Sequence, residues 1–155
     1  MKNKTTIFII IIIVCISSIL VTKYTIEAIS ISQLQITIKN IHIQEIKISY
    51  AKLKVDIEIF NPTNEDISQL SSDYNIYINS GLVGIGNMLI TDIPAGTVKK
   101  TSTTIIIYFA DVANAAVNAI INQNFNLTIN GILQVKIFFD LFSISHEFSS
   151  TYIYS

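Results

Sequence analysis

The sequence predicts a mainly β protein, an antiparallel β-sandwich of about seven strands with one helix, preceded by one transmembrane helix. Three observations predict it. An uncharged apolar run occupies residues 5–22, and apolar and polar residues then alternate over most of residues 32–155. One later segment, at residues 112–123, has the composition of an amphipathic helix. Several strands around one helix in a chain of this length are typical of a single sandwich domain.

The composition excludes two broad classes of protein. Half of the 155 residues are hydrophobic and only 14% are charged, which excludes an intrinsically disordered chain. The net charge is -1 and every basic residue is lysine, so the chain lacks the basic character of an ordinary nucleic-acid-binding protein. Cys15 is the only cysteine, and an intramolecular disulfide is therefore impossible.

The apolar run predicts a membrane anchor. No charged residue lies between Lys4 and Lys23, and the run would be roughly 27 Å long as a helix, close to the ~30 Å hydrocarbon core of a bilayer. Positive charge is greater before the run than after it, which favours a cytoplasmic N-terminus and an extracytoplasmic C-terminal domain. We expect a short cytoplasmic N-terminus at residues 1–4, a transmembrane signal-anchor helix at 5–22, a short stalk at 23–31 and the sandwich domain at 32–155.

Two alternatives involve processing of this segment. A cleaved signal peptide needs small residues at a cleavage site, and the run offers only the poor pair Cys15 and Ser17. A lipoprotein would carry its lipid on Cys15, but Val14 occupies a position that normally holds a smaller residue. We therefore expect the segment to be retained, with Cys15 as a small apolar residue of the membrane helix.

The clearest strand is predicted at residues 52–60, after a weaker alternation at 34–43. Its two faces consist of Leu53, Val55, Ile57 and Ile59 on one side and Lys52, Lys54, Asp56 and Glu58 on the other. One apolar and one polar face indicate an antiparallel sheet with one buried side. The strand should end at Asn61-Pro62, because proline has no N–H to donate.

The remaining elements follow from turn residues and periodicity. We expect a loop at residues 63–72, a hairpin of strands 73–78 and 82–90 around Asn79-Ser80-Gly81, a turn at Pro94-Ala95-Gly96 and a strand at 100–109. The run from Ile105 to Ile107 predicts burial on both faces. Asp111 is expected to cap the helix at 112–123, whose apolar stripe would be Ala113, Val117, Ile120 and Ile121. Two long strands are expected at 125–137 and 141–154.

Several short motifs occur in a characteristic order. They are a strand ending in Asn61-Pro62, a strand beginning at Tyr74 and followed by Asn79, Gly81 and Gly86, the turn with Pro94 and Gly96, and the late residue Gly131. Together they resemble the type 2 late-embryogenesis-abundant (LEA) domain, also called the water stress and hypersensitive response (WHy) domain, over residues 32–154. Two departures exist: Thr63 separates Pro62 from Asn64, and Ser80 is inserted before Gly81.

The resemblance implies a fold and a role. The family fold is an immunoglobulin- or fibronectin-like sandwich that carries a helix, and the family is linked to desiccation and stress tolerance without established catalytic residues. A membrane anchor before such a domain resembles the plant NDR/HIN-like proteins. We expect the motif residues to be structural; Asn61 should cap backbone groups of the following turn, so that its replacement by alanine costs roughly 1–2 kcal/mol.

The sequence offers little catalytic or metal-binding chemistry. His42 and His146 have no partner at ligand spacing, so we predict no metal site, no cofactor and no enzymatic activity. The glycines from Gly81 to Gly86 are followed by a strand pattern, whereas a phosphate-binding loop needs a helix there. Asp56 and Glu58 share the polar face of a strand, which provides no cleft. Asn126 begins a glycosylation sequon that requires a solvent-facing side chain.

We therefore expect a non-enzymatic, membrane-anchored protein that acts in stress protection or binding at the cell envelope. It should associate with the membrane through its N-terminal helix and should not bind nucleic acid; a protein, lipid or sugar partner is left open. Two alternatives come from other classes. One is an adhesion or assembly subunit that pairs through an edge strand, and the other is a lipid-binding sandwich whose sheets part around an acyl chain.

Overall fold

A computed structural model describes residues 2–138 and 141–155. The chain begins with helix α1 at Lys2–Gln33. Seven strands follow: β1 Gln35–Ile46, β2 Tyr50–Phe60, β3 Ile67–Ile78, β4 Gly81–Ile93, β5 Val98–Tyr108, β6 Phe125–Ile137 and β7 Phe142–Tyr154. A 3-10 turn at Phe109–Asp111 and helix α2 at Asn114–Ile121 connect β5 to β6.

The strands form two antiparallel sheets that pack as a sandwich. One sheet has the order β1-β2-β5 and the other the order β4-β3-β6-β7. This division into three and four strands is found in immunoglobulin-related sandwiches. The predicted fold class, a mainly β sandwich with one helix behind an N-terminal apolar helix, is confirmed.

Strand β2 supplies the centre of the smaller sheet. Side chains along Tyr50–Phe60 alternate strictly between buried and half-buried, and Leu53, Val55 and Ile59 are completely buried. The polar alternate positions face solvent, as the sequence predicts. The apolar positions pack towards the other sheet, where burial of each side chain contributes about 1.5–3 kcal/mol.

The predicted loop at residues 63–72 is wrong in its second half, because β3 already begins at Ile67. Ile67 and Leu70 are buried although they lie three residues apart. Gln69 between them has a left-handed backbone, with a φ of 55°, and this irregularity lets both side chains face the core. A strict two-residue period therefore does not detect this part of the strand.

The prediction that the Ile105–Ile107 run is buried on both faces is also wrong. Ile105 and Ile107 are buried, whereas Ile106 is 47% exposed. The reason is that Ile106 lies on the outer face of the three-stranded sheet, and no described element covers that face at this position. An unbroken apolar run here reflects one buried face and one exposed isoleucine.

Helix α2 is shorter than predicted and has a different buried face. It begins at Asn114 after Ala113, which has no side chain that can cap it, and Asp111 belongs to the preceding 3-10 turn. Ala116, Ala119 and Ile120 are the buried residues, while Ile121 is exposed. Because the 3-10 turn after β5 precedes the helix, α2 starts later than predicted, and a different set of residues faces the sandwich.

Helix α1 continues without interruption through residues 23–31, the segment expected to be a stalk. This segment contains no glycine or proline, and Lys23 forms an i,i+4 ion pair with Glu27 at 3.0 Å. Ser30 and Ile31 are buried, and the helix contacts β3, β6 and β7. The sandwich is therefore held directly on the end of a rigid helix.

Gly131 is required by close packing in the larger sheet. A Cβ at this position would lie 2.6 Å from the backbone oxygen of Asp73 and 2.7 Å from the Cβ of Tyr74. Gly131→Ala should therefore lower the free energy of unfolding by about 1–3 kcal/mol, the usual cost of overpacking.

Chemical denaturation of the full chain in detergent measures this effect, and Gly84→Ala is the matched control. A Cβ at Gly84 would meet only the Cδ1 atom of Ile76, at an ordinary 3.7 Å. A strand glycine also carries an entropic cost, so this control should be neutral or slightly stabilising. A loss of stability at Gly84 equal to that at Gly131 would contradict the packing argument.

Candidate functional site

Asn61 is a completely buried hydrogen-bonding centre at the end of β2. Its Nδ2 donates to the backbone oxygens of Glu65 at 2.8 Å, Ile93 at 3.1 Å and Pro94 at 3.3 Å. Its Oδ1 accepts from the backbone N–H of Thr63 at 3.1 Å and from the Thr63 hydroxyl at 2.7 Å. One amide side chain thus joins the loop after β2 to the end of β4.

Further contacts tie that loop to the turn between β4 and β5. The Asp66 carboxylate accepts from the backbone N–H of Ala95 at 2.8 Å, and Gly96 N–H donates to the Thr63 oxygen at 3.0 Å. Gly96 has a φ of 65°, which only glycine adopts without strain. Asn61, Pro62, Pro94 and Gly96 are therefore brought together at one end of the sandwich, and Pro62 and Pro94 are exposed there.

A second group of motif residues lies side by side in the larger sheet. Tyr74 on β3 is opposite Gly86 on β4 and Gly131 on β6. The Tyr74 ring occupies the space that a Cβ on Gly86 would need, at 2.6 Å, and Tyr74 itself is buried. The two glycines thus make room for a large inward-facing side chain.

The third group, Asn79 and Gly81, lies at the opposite end of the sandwich. Asn79 and Ser80 have φ values of 47° and 70°, as a two-residue hairpin turn requires. Asn79 exchanges hydrogen bonds with Asn126, accepting from its N–H at 2.9 Å and donating to its oxygen at 3.0 Å. Asn126 is exposed, which meets the condition for its sequon.

The outer face of the three-stranded sheet carries a network of charges, which we call the charged face. It consists of Lys39, His42, Lys54, Asp56, Glu58 and Lys100. Glu58 lies 3.1 Å from the Nζ of Lys39 and 3.3 Å from that of Lys100, while Asp56 lies 3.1 Å from His42 and 3.5 Å from Lys54. These pairs cross all three strands of the sheet.

The charged face stabilises carboxylates in their ionised form. A hydrogen bond from Lys39 lowers the pKa of Glu58, and a weaker one from Lys100 adds to this against the opposing effect of desolvation. Near the end of the edge strand β1, the pKa of Glu45 is lowered mainly by a hydrogen bond from Tyr50 and to a smaller extent by one from Lys47. Lowered carboxyl pKa values make these groups poor general acids at neutral pH.

The pKa of Glu58 gives a direct test of this network. Lys39→Met should raise that pKa towards its ordinary value, because the main hydrogen bond to the carboxylate is lost. An NMR pH titration of the Glu58 side-chain carbonyl measures the change. Pairing with Lys39 favours the folded state above pH 4.5, the ordinary value, and this contribution disappears as the pH falls through the lowered pKa.

Lys52→Met is the matched control for this titration, since Lys52 lies opposite Glu45 on the same sheet and is not among the groups that shift Glu58. It should leave the Glu58 titration unchanged. Equal shifts from both variants would show that general charge, and not the contact with Lys39, sets the pKa.

The two histidines lie apart. His42 is exposed, and its Nε2 is 3.1 Å from Asp56 and 3.2 Å from the Asn40 amide. His146 is half-buried on β7, opposite Leu133 of β6. Among the residues that the structure describes, no group of three or more His, Cys, Asp or Glu side chains could hold a metal ion. The His42–Asp56 pair is a surface contact on an open strand face.

The outer face of the four-stranded sheet carries amides and hydroxyls together with the exposed side chains of Ile85, Leu89 and Ile132, and we call it the polar face after its amide row. Asn75, Asn130 and Ser149 form one row across three strands, in which the Ser149 hydroxyl donates to Asn130 at 2.7 Å. Asp73 and Glu147 stand in the next row. Two open depressions of about 490 and 650 Å³ lie on this face, and both are lined by Asn75, Asn130 and Ile132.

Sequence reasoning did not single out the polar face. The sequence signal that could have revealed it is the polar residue at alternate positions of β3 and β6, which places Asn75 and Asn130 on the solvent-facing side. Their pairing depends on the register between strands more than 50 residues apart. Such a surface offers both hydrogen bonds and apolar contacts to a partner and has no deep pocket.

Comparison with known proteins identifies the class of fold. No protein-family model matches the sequence, and a comparison with curated proteins finds no match. The chain is similar to the solution structure of AT1g01470 from Arabidopsis thaliana, with a TM-score of 0.53 and 11% identity over 75% of this chain and 78% of that one. At this identity the similarity shows the fold alone.

Two other solved structures are similar at lower TM-scores. One is the late embryogenesis abundant (LEA) protein candidate At2g46140.1, with a TM-score of 0.46 and 15% identity over 90% of this chain and 82% of that one. The other is a β-glucuronidase from glycoside hydrolase family 2, with a TM-score of 0.46 and 15% identity over 76% of this chain and 12% of that one. Neither similarity carries an argument about function.

Proposed function

We propose that this is a non-enzymatic, single-pass membrane protein that displays a type 2 LEA (WHy-like) sandwich outside the cytoplasm and acts in stress protection or binding at the cell envelope. The observation that carries the proposal is the uninterrupted helix α1, which is apolar along its first part and embedded in the sandwich at its last turn. A domain attached in this way stays at the membrane.

The properties of α1 support the anchor. Its stretch Lys4–Gln33 is long and apolar enough to cross a membrane, and the most apolar window is not buried by the rest of the structure. A core helix of a soluble domain would bury its apolar side chains against neighbouring elements. The excess of positive charge before residue 5 supports a cytoplasmic N-terminus.

The positions of the motif residues support the type 2 LEA assignment. Three motif residues each meet a structural requirement that few other residues meet. Asn61 makes five side-chain hydrogen bonds, Gly96 has a left-handed φ, and Gly131 lies close to the backbone of a neighbouring strand. These residues of the family motif are therefore ones that hydrogen bonding, turn geometry and packing in this sandwich require. The resemblance also suggests the stress-related role.

The absence of enzymatic activity is part of the proposal. The ionisable groups of the charged face lie on an open strand surface, where water reaches them and reduces electrostatic effects. Catalytic acids and bases usually need shielding from water and pKa values shifted towards neutrality. The charged face, and a polar face that combines amides and hydroxyls with exposed isoleucine and leucine side chains, are better suited to binding water, sugars or other proteins.

Topology is the first experimental test. Cys15→Ser removes the native thiol, after which Asn3→Cys and Ser155→Cys provide single reporters on either side of α1 and leave Lys2 and Lys4 in place. In intact cells, a membrane-impermeant maleimide should label residue 155 at once and residue 3 only after lysis. The reverse labelling, or a mature chain that begins near Ser18 by mass spectrometry, would refute the anchored orientation.

The stress role needs a separate test in the source organism. Deletion of the gene should lower survival after drying and rehydration, and the wild-type chain should restore it. A variant with Asn75→Ala and Asn130→Ala tests the polar face, because neither side chain is buried. Unchanged survival in the deletion strain would refute the proposed role in desiccation.

A further inference from the structure

The strand register places the turn between β6 and β7 at the end of the sandwich where α1 enters. Gln35, at the start of β1, pairs with Phe60 at the end of β2, so α1 reaches the sandwich beside the loop that follows β2. That loop leads into the start of β3, where Leu70 pairs with Val135 near the end of β6. We call this end the proximal end; it comprises the 61–66 loop, the 94–97 turn and the described residues Phe138, Leu141 and Phe142 between β6 and β7.

The described residues of the β6–β7 turn present large apolar side chains to solvent. Leu141 is 75% exposed and Phe142 is 54% exposed. Phe138 packs partly against the core and meets the Phe142 ring edge-on, with 6.0 Å between the ring centroids. The aromatic contact thus holds the exposed Phe142 in place, and the Leu141 N–H donates to the Phe138 oxygen at 3.2 Å.

The proximal end lies close to Lys23, where the apolar run of α1 ends. Lys23 is the first charged residue after the apolar run, and the helix is buried in the sandwich from Ser30. Seven helical residues rise about 10 Å. The headgroup region of one leaflet is itself about 5–8 Å thick. Because α1 is continuous here, it has no flexible segment that could lift the proximal end clear of the headgroups.

We infer that the proximal end is seated in the interfacial region of the same membrane that α1 crosses, with Leu141 and Phe142 in contact with lipid. Aromatic and aliphatic side chains at headgroup level bury their apolar surface, which explains their exposure in the isolated chain. The surface is a second membrane contact beside the anchor, and the inference rests on the proposed anchoring by α1.

The lipid expected at this surface is zwitterionic. Glu65 and Asp66 are exposed in the loop at the same end and carry negative charge. Lys99, near the start of β5, and the exposed Lys136, near the end of β6, bring positive charge to the same end. The charges therefore do not favour one sign of headgroup, and the contact depends on apolar burial. Phosphatidylcholine vesicles are therefore the appropriate probe.

The chain contains no tryptophan, so a single introduced tryptophan reports its own surroundings. Phe142→Trp places the reporter at the proximal end. Tyr108→Trp is the matched control at the opposite end, since Tyr108 is also an aromatic residue with 54% exposure. Val14→Trp places a third reporter inside the apolar run. Each full-length variant is reconstituted into phosphatidylcholine vesicles whose acyl chains are brominated near the headgroup or near the methyl end.

The three reporters separate this inference from the anchoring on which it rests. Val14→Trp should be quenched most by bromine near the methyl end, and failure there would refute the anchor itself. With the anchor in place, Phe142→Trp should lose emission to bromine near the headgroup, while Tyr108→Trp keeps its emission. An unquenched Phe142→Trp would overturn the inference, and a blue-shifted but unquenched emission would assign the surface to a protein contact instead.

Discussion

Asn61→Ala should lower the free energy of unfolding by about 2–4 kcal/mol, because the substitution leaves several buried backbone groups without partners. The Asn61 amide is the hydrogen-bond donor to the oxygens of Ile93 and Glu65, and its oxygen satisfies the N–H of Thr63. This exceeds the roughly 1–2 kcal/mol expected from the sequence, since the side chain caps its own turn and also holds the end of β4.

Two variants control this measurement, which uses thermal and chemical denaturation of the full chain. Asn64→Ala removes an exposed asparagine from the same loop and should cost at most about 0.5 kcal/mol. Asn61→Asp keeps the acceptor but turns a carboxylate towards three carbonyl oxygens, so it should be at least as harmful as alanine.

The result also decides between a structural and a binding role for this loop. If Asn61→Ala left the unfolding curve unchanged but abolished stress protection in cells, the structural role would be wrong. The loop would then become the leading candidate for the recognition site. A loss of stability with unaltered binding by the folded fraction would agree with the geometry.

Ile57→Ala should lower the free energy of unfolding by about 2–5 kcal/mol through lost transfer energy and a residual cavity. Ile57 is buried in the middle of β2, opposite Ile38 of β1 and Thr101 of β5. A central strand between two neighbours has little freedom to collapse into the space left by the deleted atoms.

The neighbouring Asp56 provides the matched control. Its side chain lies on the charged face beside His42 and Lys54, and surface ion pairs contribute about 0–1 kcal/mol. Asp56→Ala should therefore cost at most about 1 kcal/mol in the same denaturant titration. Equal losses from the two variants would mean that β2 does not present one buried and one solvent-facing side.

The sequence by itself was enough to predict the elements whose signal is local. The apolar run predicts α1, because helix formation and membrane length depend on consecutive residues. The alternation from Lys52 to Phe60 predicts β2 and both of its faces, since side chains in a strand point to opposite sides. Asn79 and Gly81 predict the hairpin between β3 and β4 through their turn preferences.

Only the tertiary structure decided the features that join distant parts of the chain. The partners of Asn61 include Ile93, which lies 32 residues away, and the need for glycine at 131 comes from the backbone of Asp73. Ile106 is exposed because no described element packs over the outer face of the three-stranded sheet at this position. Periodicity records which side of an element is apolar, whereas the neighbours that cover that side depend on strand order and register. The same physical reason applies to the proximal end, where folding brings Phe142 to the end of the sandwich at which α1 enters.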